Sequence, residues 1–129
     1  MSGATGPEAR GVVAGGLHGR PTARELVDAV GGFLRDQLEP EVEGALRYQV
    51  RIAVRALEVV ARELELGPAQ EQAHQARLAA LGMVDDAALA AAIRTGVLDD
   101  QPGLVASLRA DARDRLLVAN PGWLPADRA

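Results

Sequence analysis

Apolar and polar residues alternate along most of this chain with the three- and four-residue spacing of amphipathic helices. The longest such segment runs from Glu41 to Leu66 and has no proline in its interior. Pro40 before the segment and Gly67-Pro68 after it are helix-terminating signals, so the pattern predicts one long central helix. We expect its buried face to consist of Val42, Ala45, Leu46, Ile52, Ala53, Ala56, Leu57, Val60 and Leu64.

A first helix is predicted before the central one, between Thr22 and Pro40. Thr22 and Glu25 have the spacing of a capping box, in which each side chain accepts a hydrogen bond from a free backbone N–H. Gly31 and Gly32 interrupt this helix, and glycine inside a helix costs about 1 kcal/mol relative to alanine. We therefore expect the two glycines to permit the close approach of another helix. The predicted buried stripe is Leu26, Val27, Val30, Phe33, Leu34 and Leu38.

Three shorter helices are predicted after the central one, at residues 67–81, about 85–96 and about 102–119. Pairs of aspartates at 85–86 and 99–100 precede the last two helices, where carboxylates cap backbone N–H groups. No segment alternates with the period of a strand. The chain is therefore predicted to be all-α, with a compact bundle of three to four longer helices plus a short connecting helix.

A single domain is expected from a chain of 129 residues. Residues 1–20 contain six glycines and no periodicity, which predicts a flexible N-terminal arm. The helical domain is expected at residues 21–123, followed by a C-terminal tail at 124–129. Trp123 is expected to anchor the tail on the helices, with a role in an interface as the alternative.

Composition narrows the classes of function. The chain has no cysteine, no signal-peptide pattern and no stretch near the roughly 20 apolar residues of a membrane span, so we expect a cytoplasmic protein without membrane association. All 14 basic residues are Arg and the formal net charge is -4, which argues against nucleic acid as a partner. Alanine supplies 25 residues, so we expect moderate stability, or stability shared with a partner.

Motifs for catalysis are few. Glu71 and His74 have the Glu-x-x-His spacing of di-iron bundles, but such sites need two of these pairs and two further carboxylates. The pair is therefore expected to face solvent, and no metal or cofactor is predicted. Ser107 has no histidine placed to activate it by a recognisable signature. We do not expect an enzyme.

Three arginines, Arg47, Arg51 and Arg55, are spaced four residues apart on the central helix. Like charges at this spacing repel by a few tenths of a kcal/mol, so helix stability does not explain them. Guanidinium groups bind carboxylates or phosphates bidentately, which suggests an acidic partner or a phosphate-bearing ligand. The alternative is a solvated face that Glu43 and Glu58 partly neutralise.

Tyr48 and Gln49 lie beside the apolar stripe of the same helix. A buried amide needs hydrogen-bond partners, so Gln49 is a candidate to line a pocket or to fix the register of the helices. The alternative is a position at the boundary with solvent, where glutamine is mostly found.

Several short motifs in a fixed order carry a family resemblance between Pro21 and Pro121. They are Pro21-Thr22-Ala23, Glu25-Leu26, Phe33-Leu34, the stretch from Tyr48 to Leu57, Arg62-Glu63, Leu66-Gly67, Ile93-Arg94, Gly96, and Leu116 through Asn120-Pro121. With these motifs the chain resembles a family of small bacterial helical proteins of unknown function. Members of that family are often encoded beside aminoglycoside-phosphotransferase-like kinases and acyl-CoA dehydrogenases.

The resemblance implies a non-catalytic accessory or stabilising subunit of such a small-molecule kinase, in hydroxyacyl-CoA or fatty-acid-type catabolism. The implied partner is the kinase or an acyl-CoA dehydrogenase. The kinase would supply nucleotide, magnesium and catalytic residues, and Arg47, Arg51 and Arg94 would contact the kinase or the CoA phosphates. The alternative is a self-associating structural module, a homo-oligomer with no kinase partner.

Overall fold

A computed structural model describes residues 17–126, and every regular element in that range is helical. The helices are α1 (Ala23–Phe33), α2 (Gly44–Ala80), α3 (Asp86–Arg94) and α4 (Leu104–Ala119). A π-helical turn (Leu34–Leu38) and a 3₁₀ turn (Glu39–Glu41) continue α1, and another 3₁₀ turn (Pro121–Trp123) follows α4. The prediction of an all-α fold is confirmed. Residues 1–16 of the predicted arm and 127–129 of the predicted tail lie outside the described range.

The central helix α2 is longer than predicted, because it continues without a break through Pro68. The prediction of a separate third helix is therefore wrong. A proline inside a helix costs about 3 kcal/mol, but α4 contacts α2 on both sides of this point. Arg62 Nε donates to the carbonyl of Val118 at 2.7 Å, and Gln70 Nε2 donates to the carbonyl of Asp114 at 3.0 Å. Tertiary packing thus continues a helix that local propensity would end.

The first half of α2, defined as residues 44–66, pairs with α1 as an antiparallel hairpin. The predicted capping box is confirmed, since Thr22 Oγ1 accepts from the Glu25 N–H at 3.2 Å and the Thr22 N–H donates to the Glu25 carboxylate at 3.4 Å. Gly31 is buried where the helices cross, and a Cβ built on it would lie 3.9 Å from the Leu57 side chain. Gly32 has no such neighbour within 4 Å. Of the two glycines, Gly31 alone therefore lies at the expected close approach of α1 and α2, and the contact there is at ordinary van der Waals distance.

The end of α2 packs with α3 and the turn before α4. The buried cluster at this junction consists of Leu78, Leu81, Leu89 and Leu98, with Met83, Ala92 and Leu104 packed against it. Gly82, with a φ of 72°, follows the end of α2, at the point where the helix predicted at residues 67–81 was expected to end. The N–H of Met83 donates to the carbonyl of Leu78 at 2.9 Å, the hydrogen bond of a Schellman cap.

The two predicted aspartate caps differ in outcome. Asp85 Oδ1 accepts from the Ala88 N–H at 2.8 Å, so the cap of α3 is confirmed. The cap predicted at Asp99 or Asp100 is wrong, because α4 begins only after Gly103. Gly103 has a φ of 84°, in the left-handed region that favours glycine, and it redirects the chain into α4 without a side-chain cap.

Candidate functional site

Apolar side chains of α1 and of the first half of α2 remain exposed instead of forming the predicted core. In this half of α2 the buried side chains are those of Val50, Val54 and Ala61. Seven larger apolar side chains of the hairpin are 41% to 54% exposed. Together with the exposed Ala56 they define the hairpin face: Leu26, Val30 and Phe33 on α1, and Leu46, Ile52, Ala56, Val60 and Leu64 on α2.

The apolar stripe of α2 is wider than one neighbouring helix covers. Val50, Val54 and Ala61 lie on the side of α2 that faces α1 and the turn after it, so these elements occupy one direction around the helix axis. At 3.6 residues per turn, Val60 and Ala56 point roughly 100° and 140° away from that direction. The predicted burial of the α2 residues in the hairpin face is therefore wrong, and the residues that are buried, Val50, Val54 and Ala61, were not in the predicted set.

Charged side chains of the hairpin lie together, apart from the hairpin face. A cavity of about 270 Å³ between α1 and α2 is lined in part by Arg24, Asp28, Arg35, Glu58 and Arg62. Arg24 pairs with Asp28 at 3.1 Å and with Glu65 at 2.6 Å. The hairpin is thus amphipathic as a pair of helices, with ion pairs on one side and exposed apolar side chains on another.

Arg47 and Arg51 face an acid of the same chain. Their Nε atoms lie 3.7 Å and 2.5 Å from Glu39 Oε1, on the turn that joins α1 to α2. The hydrogen bond from Arg51 lowers the pKa of Glu39 below its ordinary value. An acid of the same chain, Glu39, therefore faces these two arginines, and among the described residues no ion pair joins them to Glu43 or Glu58.

Arg94 does not join the other two predicted arginines. It lies in the last turn of α3, and α3 packs against Leu78 near the end of α2. Leu78 is roughly 46 Å along the helix axis from Arg47. The structure thus brings Arg47 and Arg51 together and leaves Arg94 at the opposite end of the molecule.

The remaining predicted site residues are at the surface. Tyr48 is 67% exposed, and Gln49 is exposed beside it. Neither lines the cavities described here, so the pocket proposed at these residues is not formed within the described part of the chain. Trp123 is 78% exposed, and its predicted anchoring of the tail is wrong.

A groove of about 900 Å³ separates α2 from α4. Its lining changes character along its length. One end is apolar, with Val59, Val60, Leu64 and Val118. The other end carries the ionic cluster, which consists of His74, Arg77, Asp86, Asp111 and Asp114. The apolar end shares Val60 and Leu64 with the hairpin face, so the two surfaces are continuous.

The ionic cluster joins three helices. His74 Nε2 lies 3.0 Å from Asp86 on α3, and His74 Nδ1 lies 3.1 Å from Asp111 on α4. Arg77 donates from Nε to Asp111 and from Nη2 to Asp114, both at 2.8 Å. The His74 side chain is only 17% exposed, so the expectation that it faces solvent is wrong. The sequence contained a signal for this burial. His74 lies four residues after Gln70 and three before Arg77, so all three side chains lie on the face of α2 that contacts α4.

These contacts change the protonation of the cluster. The hydrogen bond with Asp111, supported by the one with Asp86, raises the pKa of His74 although partial burial opposes it. Burial alone would raise the pKa of Asp111, but Arg77 and His74 outweigh it and lower that pKa. Both ring nitrogens of His74 face carboxylates, so neither is free to act as a general base. Across residues 17–126, no three His, Asp or Glu side chains are grouped to hold a metal ion.

None of the helices within the described range is both long and apolar enough to span a bilayer. Comparison with known proteins gives a match over residues 40–123 to a domain of unknown function, DUF6285. The match contains α2, α3 and α4, while the part of the resemblance between Pro21 and Glu39 lies outside it. No curated protein and no solved structure matches the chain. Because the match covers more than half of the sequence, the chain belongs to the DUF6285 family.

Proposed function

We propose that this protein is a non-catalytic accessory subunit that binds another protein through the hairpin face. The observation that carries the proposal is the set of seven apolar side chains, from both helices of the hairpin, that stay 41% to 54% exposed, while the ion pairs of Arg24 line a separate cavity. Monomeric soluble proteins rarely leave large contiguous apolar patches uncovered. Apolar side chains at i, i+4 and i+7, such as Leu26, Val30 and Phe33, are the usual anchors of a docked helix.

The partner implied by the family resemblance is an aminoglycoside-phosphotransferase-like kinase of hydroxyacyl-CoA or fatty-acid-type catabolism, or a neighbouring acyl-CoA dehydrogenase. In that complex the kinase supplies nucleotide, magnesium and the catalytic residues. Arg47 and Arg51 are already paired with Glu39, which makes them weaker candidates for contacts with CoA phosphates. Arg94 is exposed in the last turn of α3 and stays a candidate.

The state of the ionic cluster supports an accessory role. The only histidine within residues 17–126 besides His18 is His74, and both of its ring nitrogens face aspartates. A nucleophile and a free general base are the minimum for most covalent catalysis. We therefore place the chemistry in the partner and the binding in this chain.

Co-expression with an aminoglycoside-phosphotransferase-like kinase of the same organism tests the proposal. The measurements are co-purification and the kinase rate with and without this protein. Phe33→Asp places a charge in the hairpin face and is expected to abolish co-purification. Val97→Asp is the matched control, because Val97 is 76% exposed and lies outside the hairpin face. A kinase that neither co-purifies nor changes its rate overturns the kinase partnership.

A second candidate is a self-associating helical module with no kinase partner. The observation in its favour is the arrangement of the α2 residues in the hairpin face, which suits pairing with the same residues of another copy. Self-association is measured on the purified chain alone, so its outcome is separate from that of the kinase experiment.

A further inference from the structure

The exposed positions of α2 are arranged symmetrically about Ala56. Ile52 and Val60 lie four residues before and after it, and Gln49 and Glu63 lie seven residues before and after it. These separations are about one and two helical turns, so all five residues lie along one strip of the helix. All five are exposed. A strip with this symmetry matches itself when a second helix runs antiparallel to it.

We propose that the α2 strip pairs with the same strip of a second copy of this chain, antiparallel and about a two-fold axis at Ala56. The proposal rests on the hairpin face being a binding surface, and it names the occupant of the α2 part of that face. Ile52 of each copy meets Val60 of the other. A C2 interface needs a self-complementary patch of this kind.

The small side chain of Ala56 lies at the axis, where the two helices are closest. Interaxial distances fall to about 8 Å when small residues occupy a helix crossing. The hairpins then form a four-helix arrangement, in which α1 and the second copy approach α2 from directions roughly 100° to 140° apart. Leu26, Val30 and Phe33 of α1 lie at the edge of this contact and stay available to another protein.

The polar residues of the strip favour a copy of this chain over an unrelated partner. Gln49 and Glu63 are the strip's polar members among these positions, and the symmetry places Gln49 of one copy opposite Glu63 of the other. The side-chain amide of Gln49 donates a hydrogen bond to the carboxylate of Glu63, so each polar group has a partner across the interface. Arg47, Arg51 and Arg55 lie on a different side of α2, roughly 100° to 180° from Ala56. The pairing therefore brings no like charges together.

The area of the strip fits a weak, transient dimer. The strip from Ala45 to Gly67 is about 33 Å long and roughly 10 Å wide, so each copy contributes about 330 Å². Two copies then bury roughly 700 Å², below the size of a standard stable interface. The start of α2 in the second copy covers the apolar end of the groove near Leu64 and leaves His74 outside. We expect a dissociation constant on the order of micromolar.

Cysteine cross-linking tests the geometry, because the chain has no cysteine of its own. In Ala56→Cys the two Cα atoms at the axis are about 4 to 6 Å apart, within the range that a disulfide spans. Mild oxidation should therefore give a covalent dimer. Ala112→Cys is the matched control, since Ala112 is exposed on α4, and it should stay monomeric. Ile52→Cys should not cross-link to itself, but it should cross-link when mixed with Val60→Cys.

Light scattering tests the association without a cross-link. The mass of the unmodified chain should rise from 13.5 kDa towards twice that value as concentration passes through the micromolar range. Val60→Asp should weaken association by at least about tenfold, while Val97→Asp leaves it unchanged. Circular dichroism shows whether each variant is folded.

A mass of 13.5 kDa at every concentration, with no more cross-linking of Ala56→Cys than of Ala112→Cys, overturns the proposal. Kinase co-purification in that case leaves the accessory function standing. A dimer that does not bind the kinase supports the proposal and counts only against the accessory function.

Discussion

The two halves of α2 are packed in different ways. The second half meets α3 and α4, and its side chains end in a cluster of buried leucines and an ionic cluster that joins three helices. The first half meets α1 and the turns that continue it, and it leaves the hairpin face half exposed. Within residues 17–126 the second half thus has its apolar and ionic groups partnered. The first half has an apolar stripe wide enough for another chain.

The largest expected effect comes from the leucine cluster. Leu78 is 2% exposed, so Leu78→Ala should lower the free energy of unfolding by about 2 to 4 kcal/mol. Leu64 is 41% exposed, so Leu64→Ala should lower it by roughly 1 kcal/mol or less in dilute solution. Urea denaturation at low protein concentration measures both. Equal losses would show that the two halves are packed alike.

Asp111 is the next position to test, since it accepts hydrogen bonds from both His74 and Arg77. Asp111→Ala leaves these two partners with fewer acceptors and should destabilise the chain by about 1 to 2 kcal/mol. Arg24→Ala on the hairpin is the control, because exposed ion pairs contribute little. Thermal unfolding of the two variants compares them, and a larger loss for Arg24→Ala would reverse the contrast between the halves.

The ionic cluster also predicts a dependence of stability on pH. The pKa of His74 is raised in the folded chain, so its contribution is fully present below the unfolded value near 6.5 and is lost as pH rises through the folded pKa. The pKa of Asp111 is lowered, so its contribution is present above the unfolded value near 3.8 and is lost as pH falls through the folded pKa.

Stability from these two groups should therefore be greatest between these two unfolded values. His74→Gln should remove the decline of stability above pH 6.5. Denaturant midpoints measured from pH 5 to 9 for both proteins show the difference. Parallel pH curves would mean that His74 is not linked to folding.

The smallest expected effect is a gain of stability in the hairpin. Gly32 lies in the interior of α1, and a Cβ built on it meets nothing within 4 Å. Gly32→Ala should stabilise the chain by about 0.5 to 1 kcal/mol, because alanine loses less backbone entropy in a helix. Thermal unfolding at low concentration measures the gain. A loss of stability would mean that this side of α1 is more tightly packed than its open surroundings indicate.

Local signals in the sequence were sufficient to predict several helix boundaries of the fold. The capping box at Thr22, the cap at Asp85 and the glycine at 82 each act within one turn, so the chain nearby specifies them. The continuation of α2 through Pro68 depends on α4, which is distant in sequence. No local pattern contains that information, and the boundary predicted at Pro68 was wrong for this reason.

The candidate site was less predictable, since its contacts join distant residues. The spacing of Arg47 and Arg51 indicated an acid nearby, but Glu39 reaches them only because the turn after α1 folds back on α2. His74 and Asp111 are 37 residues apart. The predicted buried face of α2 omitted Val50, Val54 and Ala61, which are the residues buried in this part of the helix. A periodic pattern does not say which part of a wide apolar stripe the same chain will cover.

Labelling of side chains by hydroxyl radicals tests the central claim most directly, namely that a second copy of this chain covers the α2 part of the hairpin face. The experiment compares the protein at about 100 µM and about 0.1 µM, on either side of the micromolar range expected for an interface of this size. We predict that labelling of Ile52 and Val60 falls at the higher concentration while that of Val97 does not change. Equal labelling of all three at both concentrations would contradict the pairing of two copies through α2.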